Sequence, residues 1–346
     1  MHGLEQGLLN DFQRDFPLSP RPFSAMAQQL GTVEAVVIQR LRRLQEQGAV
    51  SRVGPVFRPH TLGASTLAAL AVPPSRLTEV ADQVSAYPAV NHNYEREHRL
   101  NLWFVLNAST SQALQAILSE IQQQTGLTIW SFPMLKQYRI DLGFRLPAVA
   151  HECRTKPGHG PSSDARRDAS HPRVAVAVGR HRPNPLLIAA IQEGLPLVPR
   201  PYAAAGHAVG LSEEEVIEGI AQLLSTQVIR RFGVVVRHRE LGYRANAMVV
   251  WDVSDDKVDR LGQDFARHDF VTLCYRRARA LPGWPYNLYC MIHGCERATV
   301  MRQVQELRQR CQAPDIPYTV LFSRRRFKQR GALYVPAQNK GQTAAA

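Results

Sequence analysis

Apolar positions along this chain form two long patterns of the same kind. Leu8, Leu9, Phe12 and Phe16 recur at helical spacing until Pro17, which should stop a first helix. The segment PRPFSAMAQQLG predicts a second short helix ending at Gly31. Thr32 reads as the cap of a third, with Val33, Val37, Leu41 and Leu44 on one face and a close near Gly48. Three short helices followed by a strand pair outline a winged helix-turn-helix. The pattern then changes period. Residues 67–72 form an apolar strand broken by Pro73 and Pro74, and residues 75–84 a helix. Residues 90–97 are a polar, half-buried strand, and 101–107 an apolar one paired to it as a hairpin. Residues 110–124 are an amphipathic helix and 128–144 a long last strand. The second pattern repeats this as strand 245–253, helix 254–267, strands 271–277 and 287–292, helix 296–311 and strand 317–326. The order βαββαβ implies a four-stranded antiparallel sheet with two helices on one face.

The repeat is visible residue by residue. Pro17, Arg21, Pro22 and Gly31 correspond to Pro196, Arg200, Pro201 and Gly210. The same offset of 179 holds for Arg52 and Arg231, Gly54 and Gly233, Arg58 and Arg237, and Gly63 and Gly242. The fold class is therefore α+β: a tandem duplication in which each half is a helix-turn-helix followed by a ferredoxin-like βαββαβ domain. The boundaries expected are 1–60 and 61–148 for the first half, and 181–240 and 241–330 for the second. Residues 149–180, rich in Pro, Gly, Ser and charge, read as a flexible linker. Its His151, His159 and His171, with His181, lack the spacing of metal ligands. Residues 331–346 read as a disordered tail.

Charge sharpens the picture. Lys and Arg number 42 against 29 Asp and Glu, a formal net charge of +13, and arginine far outnumbers lysine. That balance favours recognition of carboxylate or phosphate. The five cysteines show no C-x-x-C pair, which points to reduced thiols and a cytoplasmic setting. No signal-peptide pattern opens the chain, and no apolar run is long enough to span a bilayer. No G-x-S-x-G, G-x-G-x-x-G or P-loop is present.

Two anionic partners compete. The third helix carries Gln39, Arg40, Arg42 and Arg43, as a DNA reader would. Its counterpart carries Glu213, Glu214, Glu215 and Glu218, which phosphates would repel. Packing and pairing of the halves is the better account of these helices. The alternative is a pocket for a small polyanion. Residues 230–248, RRFGVVVRHRELGYRANAM, place Arg231, Arg237 and His238 at the two ends of a short apolar strand, with Arg52 and Arg58 in the weaker first copy. The hairpin VNHNYEREHRLNLWFVL sets His92, Tyr94, Arg96 and His98 on one face by the period of two. The second half offers Tyr275, Arg276 and Arg277 on a strand, Trp284 and Tyr286 as an apolar wall, and His293 at the end of the next strand.

The strings NYEREHRLNLWFV, RRFGVVVRHRELGYRANAMVVW and WPYNLYCMIHG resemble the siroheme decarboxylases, an enzyme branch of the Lrp/AsnC-like family, in the fused two-subunit form of haem d1 biosynthesis. The resemblance covers the whole chain except linker and tail. It implies a cytoplasmic carboxy-lyase without an added organic cofactor, the iron belonging to the siroheme substrate. The reaction implied removes CO2 from the C12 and C18 acetates, giving 12,18-didecarboxysiroheme. The partners implied are siroheme, other haem d1 biosynthesis proteins, and a pseudo-dimer of halves that further self-association could extend; no DNA or membrane is implied. By matched motif, His98, His238 and His293 would be acid/base or iron-facing groups. Arg52, Arg58, Arg96, Arg231, Arg237 and Arg277 would bind carboxylates, with Tyr94 and Tyr275 beside them, and Trp284 and Tyr286 would pack on the macrocycle. Pro59 stands opposite His238 in the repeat, so the two pockets are expected to differ. The remaining alternative is an Lrp/AsnC-type DNA-binding transcriptional regulator, with or without haem sensing.

Overall fold

A computed structural model describes residues 3–59, 61–140, 183–237, 242–313 and 315–335. The linker histidines and His238 lie outside the described residues. In the first half, helices α1 (Gly3–Asn10), α2 (Pro22–Gln29) and α3 (Glu34–Glu46) lead into β1 (Val50–Phe57). In the second, α6 (Pro185–Ile191), α7 (Pro201–His207) and α8 (Glu213–Ser225) lead into β6 (Ile229–Val236). β1 and β6 pair antiparallel with Gly54 opposite Gly233, the two members of one repeat position. A pseudo-twofold axis therefore passes through this ribbon. One hydrophobic core runs through both helical sets, from Leu8, Met26 and Leu41 to Ile188, Val216 and Ile220. The duplicated Arg21–Glu34 and Arg200–Glu213 ion pairs brace the two copies in the same way.

The two βαββαβ units close on each other. Strands β2 (Ala64–Leu70), β3 (Val90–Arg96), β4 (Leu102–Ala108) and β5 (Trp130–Ile140) come from the first half. Strands β7 (Ala245–Trp251), β8 (Val271–Arg277), β9 (Leu288–Gly294) and β10 (Tyr318–Gln329) come from the second. They form a closed barrel in the order β10-β3-β4-β2-β5-β8-β9-β7. The joins are β5 to β8 and β10 to β3, so the last strand of each half completes the sheet of the other. Closure removes the strand edges that each sheet alone would expose. Helices α4 (Leu77–Ala86) and α5 (Ser111–Thr125) pack outside one sheet, α9 (Val258–Ala266) and α10 (Arg297–Arg310) outside the other. Leu67, Trp103, Phe132, Met248, Trp284, Tyr289 and Leu321 fill part of the barrel interior.

Some local expectations are corrected. α1 ends at Asn10, not at Phe16. Phe12 and Phe16 are buried because an irregular segment lies along β6, with Val234 N donating to Phe12 O at 2.7 Å. The N-cap of α3 is Val33, with no side-chain bond, whereas Ser212 caps α8 in a full capping box with Glu215. Three glutamates in the first turn of α8 thus suit the positive end of its dipole. The tail expected to be disordered from 331 packs as far as Val335. Gln192 accepts from Tyr334 N and Val335 N, and Tyr334 meets Phe57 edge-on. Cys274, Cys290 and Cys311 are free thiols, but Cys295 is disulfide-bonded, against the expectation of reduced cysteines. No helix of the described residues is long and apolar enough to cross a membrane.

Candidate active site

β3 sends His92, Tyr94 and Arg96 to the inside of the barrel, as the period of two predicts. His92 stacks on Tyr94 with centroids 6.2 Å apart, and the Arg96 guanidinium lies 5.8 Å from the Tyr94 ring centre. Arg96 then crosses to the second half. It donates to Leu321 O at 3.1 Å, contacts Met291 Sδ at 4.0 Å, and its charge acts on His293 of β9. Beyond His92 lies Arg52 of the β1 ribbon, whose charge acts on His92. Arg52 is itself boxed in: a side chain at Gly331 or Gly194 would collide with it, and Tyr334 is beside it. The result is a continuous row, Arg52–His92–Tyr94–Arg96–His293, built from both halves.

The electrostatics follow from enclosure. Burial, reinforced by Arg52, pushes His92 down to about 4, and burial with Arg96 does the same to His293. Both imidazoles are therefore neutral at pH 7. Burial also lowers Arg52 and Arg96 to about 10, which leaves them cationic. Yet His92, Tyr94 and His293 keep some accessible surface, so they border interior space and are not sealed in packing. The Nε atoms of Arg52 and Arg96, Asn246 Oδ1 and Ser323 Oγ are buried without a hydrogen-bond partner. Such atoms are costly to leave unmet, and a polyanionic, acceptor-rich guest would meet the arginines.

The pseudo-symmetric row differs. Tyr275 and Arg277 take the places of Tyr94 and Arg96, as the matching registers of β3–β4 and β8–β9 show. Arg277 donates to Phe132 O at 2.8 Å and lies 5.3 Å from the Tyr275 ring centre. Where His92 and His293 stand in the first row, these registers place Leu273 and Asn107 in the second. Both histidines thus belong to one row and neither to the other. Beside the second row is a cavity of about 480 Å³ lined by Arg14, Arg58, Arg230 and Arg231 with Phe16 and Phe232.

The remaining expected residues separate from the row. β3 ends at Arg96, so His98 sits in the following turn. Its Nδ1 accepts from Leu100 N at 3.0 Å, and its ring meets Trp284 at 5.3 Å. It meets the barrel's aromatic filling and, with Arg96, Glu95, Glu97 and Arg324, lines a cavity of about 450 Å³ that does not include His92. Trp284 is 1% exposed and donates from Nε1 to Tyr289 OH at 2.7 Å, so it is a core residue and not an open wall. Tyr286 bonds Thr319 Oγ1 at 2.6 Å. Arg58 donates to Gln227 Oε1 at 2.7 Å, Arg231 to Gln13 O at 2.7 Å, and Arg237 N to Ala49 O at 2.8 Å. Two of the would-be DNA-reading arginines are engaged within the protein, Arg40 pairing with Glu5 at 3.1 Å and Arg42 donating to Leu197 O of the second half at 2.7 Å, while Arg43 is exposed. Thr272 and Tyr334 escaped the sequence reading. Thr272 looks like any strand threonine until β8 and β9 are in register, and Tyr334 lies in a segment without periodicity.

The two βαββαβ units that form the barrel are AsnC-like ligand-binding domains. The AsnC-like ligand binding domain matches residues 61–139 and 240–328, and the siroheme decarboxylase NirDL-like HTH domain matches residues 5–50 and 186–230. The siroheme decarboxylase NirDL subunit of Paracoccus denitrificans is 45% identical over 335 residues, covering 96% of this chain and 97% of its own. The siroheme decarboxylase NirD subunit of Pseudomonas aeruginosa is 52% identical over 148 residues, 43% of this chain and 99% of its own. The crystal structure of the siroheme decarboxylase NirDL in co-complex with an iron-uroporphyrin III analogue matches with a TM-score of 0.64 and 27% identity, over 97% of this chain and 96% of that one. The chain belongs to the siroheme decarboxylase NirDL family.

Proposed function

We propose that this chain decarboxylates siroheme, converting the C12 and C18 acetates to methyl groups, at the row Arg52–His92–Tyr94–Arg96–His293. The observation that carries the assignment to this row is its two neutral histidines beside two buried arginines whose Nε atoms have no partner. Each turnover exchanges a carboxylate and a proton for CO2 and a C–H bond. The breaking C–C bond leaves its electron pair on the ring methylene, delocalised into the macrocycle, and a proton must arrive there. Arg52 and Arg96 would hold carboxylates of the substrate. Burial first, and their cationic charge second, depress the histidines in the unliganded protein. Bound carboxylates would offset that charge, so the imidazoles would gain protons when substrate is seated and could deliver one to carbon. The reaction needs no redox change, and we propose that no organic cofactor takes part and that the setting is the cytoplasm. Trp284 and Tyr286, as placed, would support the site from the core.

The test is anaerobic incubation with siroheme followed by mass spectrometry of the tetrapyrrole. The expected product has lost two CO2. His92→Ala and His293→Ala should each lower the rate by about 100-fold or more, and His98→Ala by less than about threefold. Unchanged substrate mass with the intact protein refutes the function. Loss of rate confined to His98→Ala moves the chemistry away from this row.

A further inference from the structure

His293 is held from one side by Thr272 of the neighbouring strand. Thr272 Oγ lies 2.8 Å from His293 Nδ1 and 3.1 Å from Met291 O. A threonine hydroxyl has one proton to give. The carbonyl of Met291 can only accept, and the hydroxyl lies within reach to donate to it. With the proton placed there, the hydroxyl oxygen is left to accept from His293 Nδ1, whose role depends on the ring tautomer. In that arrangement Nδ1 carries the hydrogen and Nε2 the lone pair. Thr272 is 6% exposed, so water does not readily compete for either bond.

The other half offers an internal comparison. The positions of Thr272 and His293 correspond to Asn91 and Asn107, which bond to each other at 2.5 Å, Asn91 Nδ2 donating to Asn107 Oδ1. A buried cross-strand polar pair is thus built into both halves. Only in the second does it join a hydroxyl to an imidazole, and so select between ring nitrogens.

We propose that Thr272 is a positioning residue: it fixes His293 as the Nδ1–H tautomer, so that Nε2 is the atom that takes up and returns the proton in decarboxylation. The catalytic part rests on the function proposed above; the tautomer does not.

Two variants test it in the full-length protein. Thr272→Val keeps the shape and removes the hydroxyl, and Thr272→Ser keeps the hydroxyl and trims a methyl. With siroheme, Thr272→Val is expected to lower kcat at least tenfold with KM within about twofold, and to move the limb of the pH–rate profile that reports the histidine. Thr272→Ser should return kcat to within about threefold of the parent. Nitrogen-15 NMR of histidine-labelled protein should show the Nδ1–H form at His293 in the parent and in Thr272→Ser, and a mixture in Thr272→Val. An unshifted pH profile in Thr272→Val, equal loss in both variants, or an Nε2–H signal in the parent overturns the proposal. If the intact protein leaves siroheme unchanged, the function fails, and the NMR result still decides the tautomer.

Discussion

At the scale of single residues, environment decides which histidine can do what. Three were singled out from motif alone, and the structure brings only His293 of these into the row with Arg52 and Arg96; His238 lies outside the described residues. His92, grouped with Tyr94 and Arg96 by strand period, is its true companion. His98 shares the sequence alternation but not the strand, because β3 stops two residues earlier. The depressed histidines also fix a dependence of stability on pH. The unfolded chain protonates them near 6.5, whereas the folded chain resists until about 4. Their contribution is complete above about pH 6.5 and is lost as the pH falls towards 4. Each is worth on the order of 1–3 kcal/mol over that window. The expected outcome is a melting temperature that falls steeply between pH 6.5 and 4.5, and a shallower fall in His92→Gln and His293→Gln. Circular dichroism melts across this range check it, and equal slopes in parent and variants would assign the loss to carboxylates instead.

At the scale of elements, the strands and outer helices were legible because period and burial agree there. Residues 271–277 were expected as a strand and are one, and the helix expected at 110–124 is α5, Ser111–Thr125, with Thr110 as its cap. Legibility failed where apolar residues are buried without regular structure, as at Phe12 and Phe16, since burial pattern alone does not dictate backbone form. It failed again for the site, because a row crossing from β3 to β9 depends on barrel closure and strand register, which no local pattern encodes. The β1–β6 ribbon corrects another expectation: a strand pair was expected within each half, whereas each half gives one strand and the two pair across the repeat, with the matched Gly54 and Gly233 opposite each other. A Cβ at Gly233 would lie 2.4 Å from Phe12 O and 2.7 Å from Gln13 O, both backbone atoms that cannot swing aside. Gly233→Ala is therefore expected to destabilise the fold by about 1–3 kcal/mol. Gly219, inside α8, would meet only the flexible end of Leu187 at 2.4 Å, and gains helix propensity with alanine. Gly219→Ala should stay within about 1 kcal/mol of the parent. Urea midpoints of the two variants make the comparison, and equal midpoints would refute the claim that ribbon contact constrains Gly233.

At the scale of the whole molecule, the halves are joined less by the chain than by shared structure. β5 pairs with β8 and β10 with β3, β1 pairs with β6, and one core spans both helical sets. The candidate row needs both halves, since Arg52, His92, Tyr94 and Arg96 come from the first and His293 from the second. The Pseudomonas aeruginosa relative, nearly all of which aligns to 43% of this chain, shows that one half's length can be a separate polypeptide. Dividing the chain between residues 148 and 183 should therefore leave function intact when both pieces are produced together. Each piece alone would expose the outer strands of its sheet and half of a helical core, and should self-associate or aggregate. The expected outcome is a one-to-one complex on size-exclusion chromatography that turns over siroheme at a rate within about threefold of the intact chain. The second piece alone should be inactive, because His293 would face no Arg96, and the first because it lacks His293. Activity in either isolated piece would show that the row does not have to be assembled across the barrel.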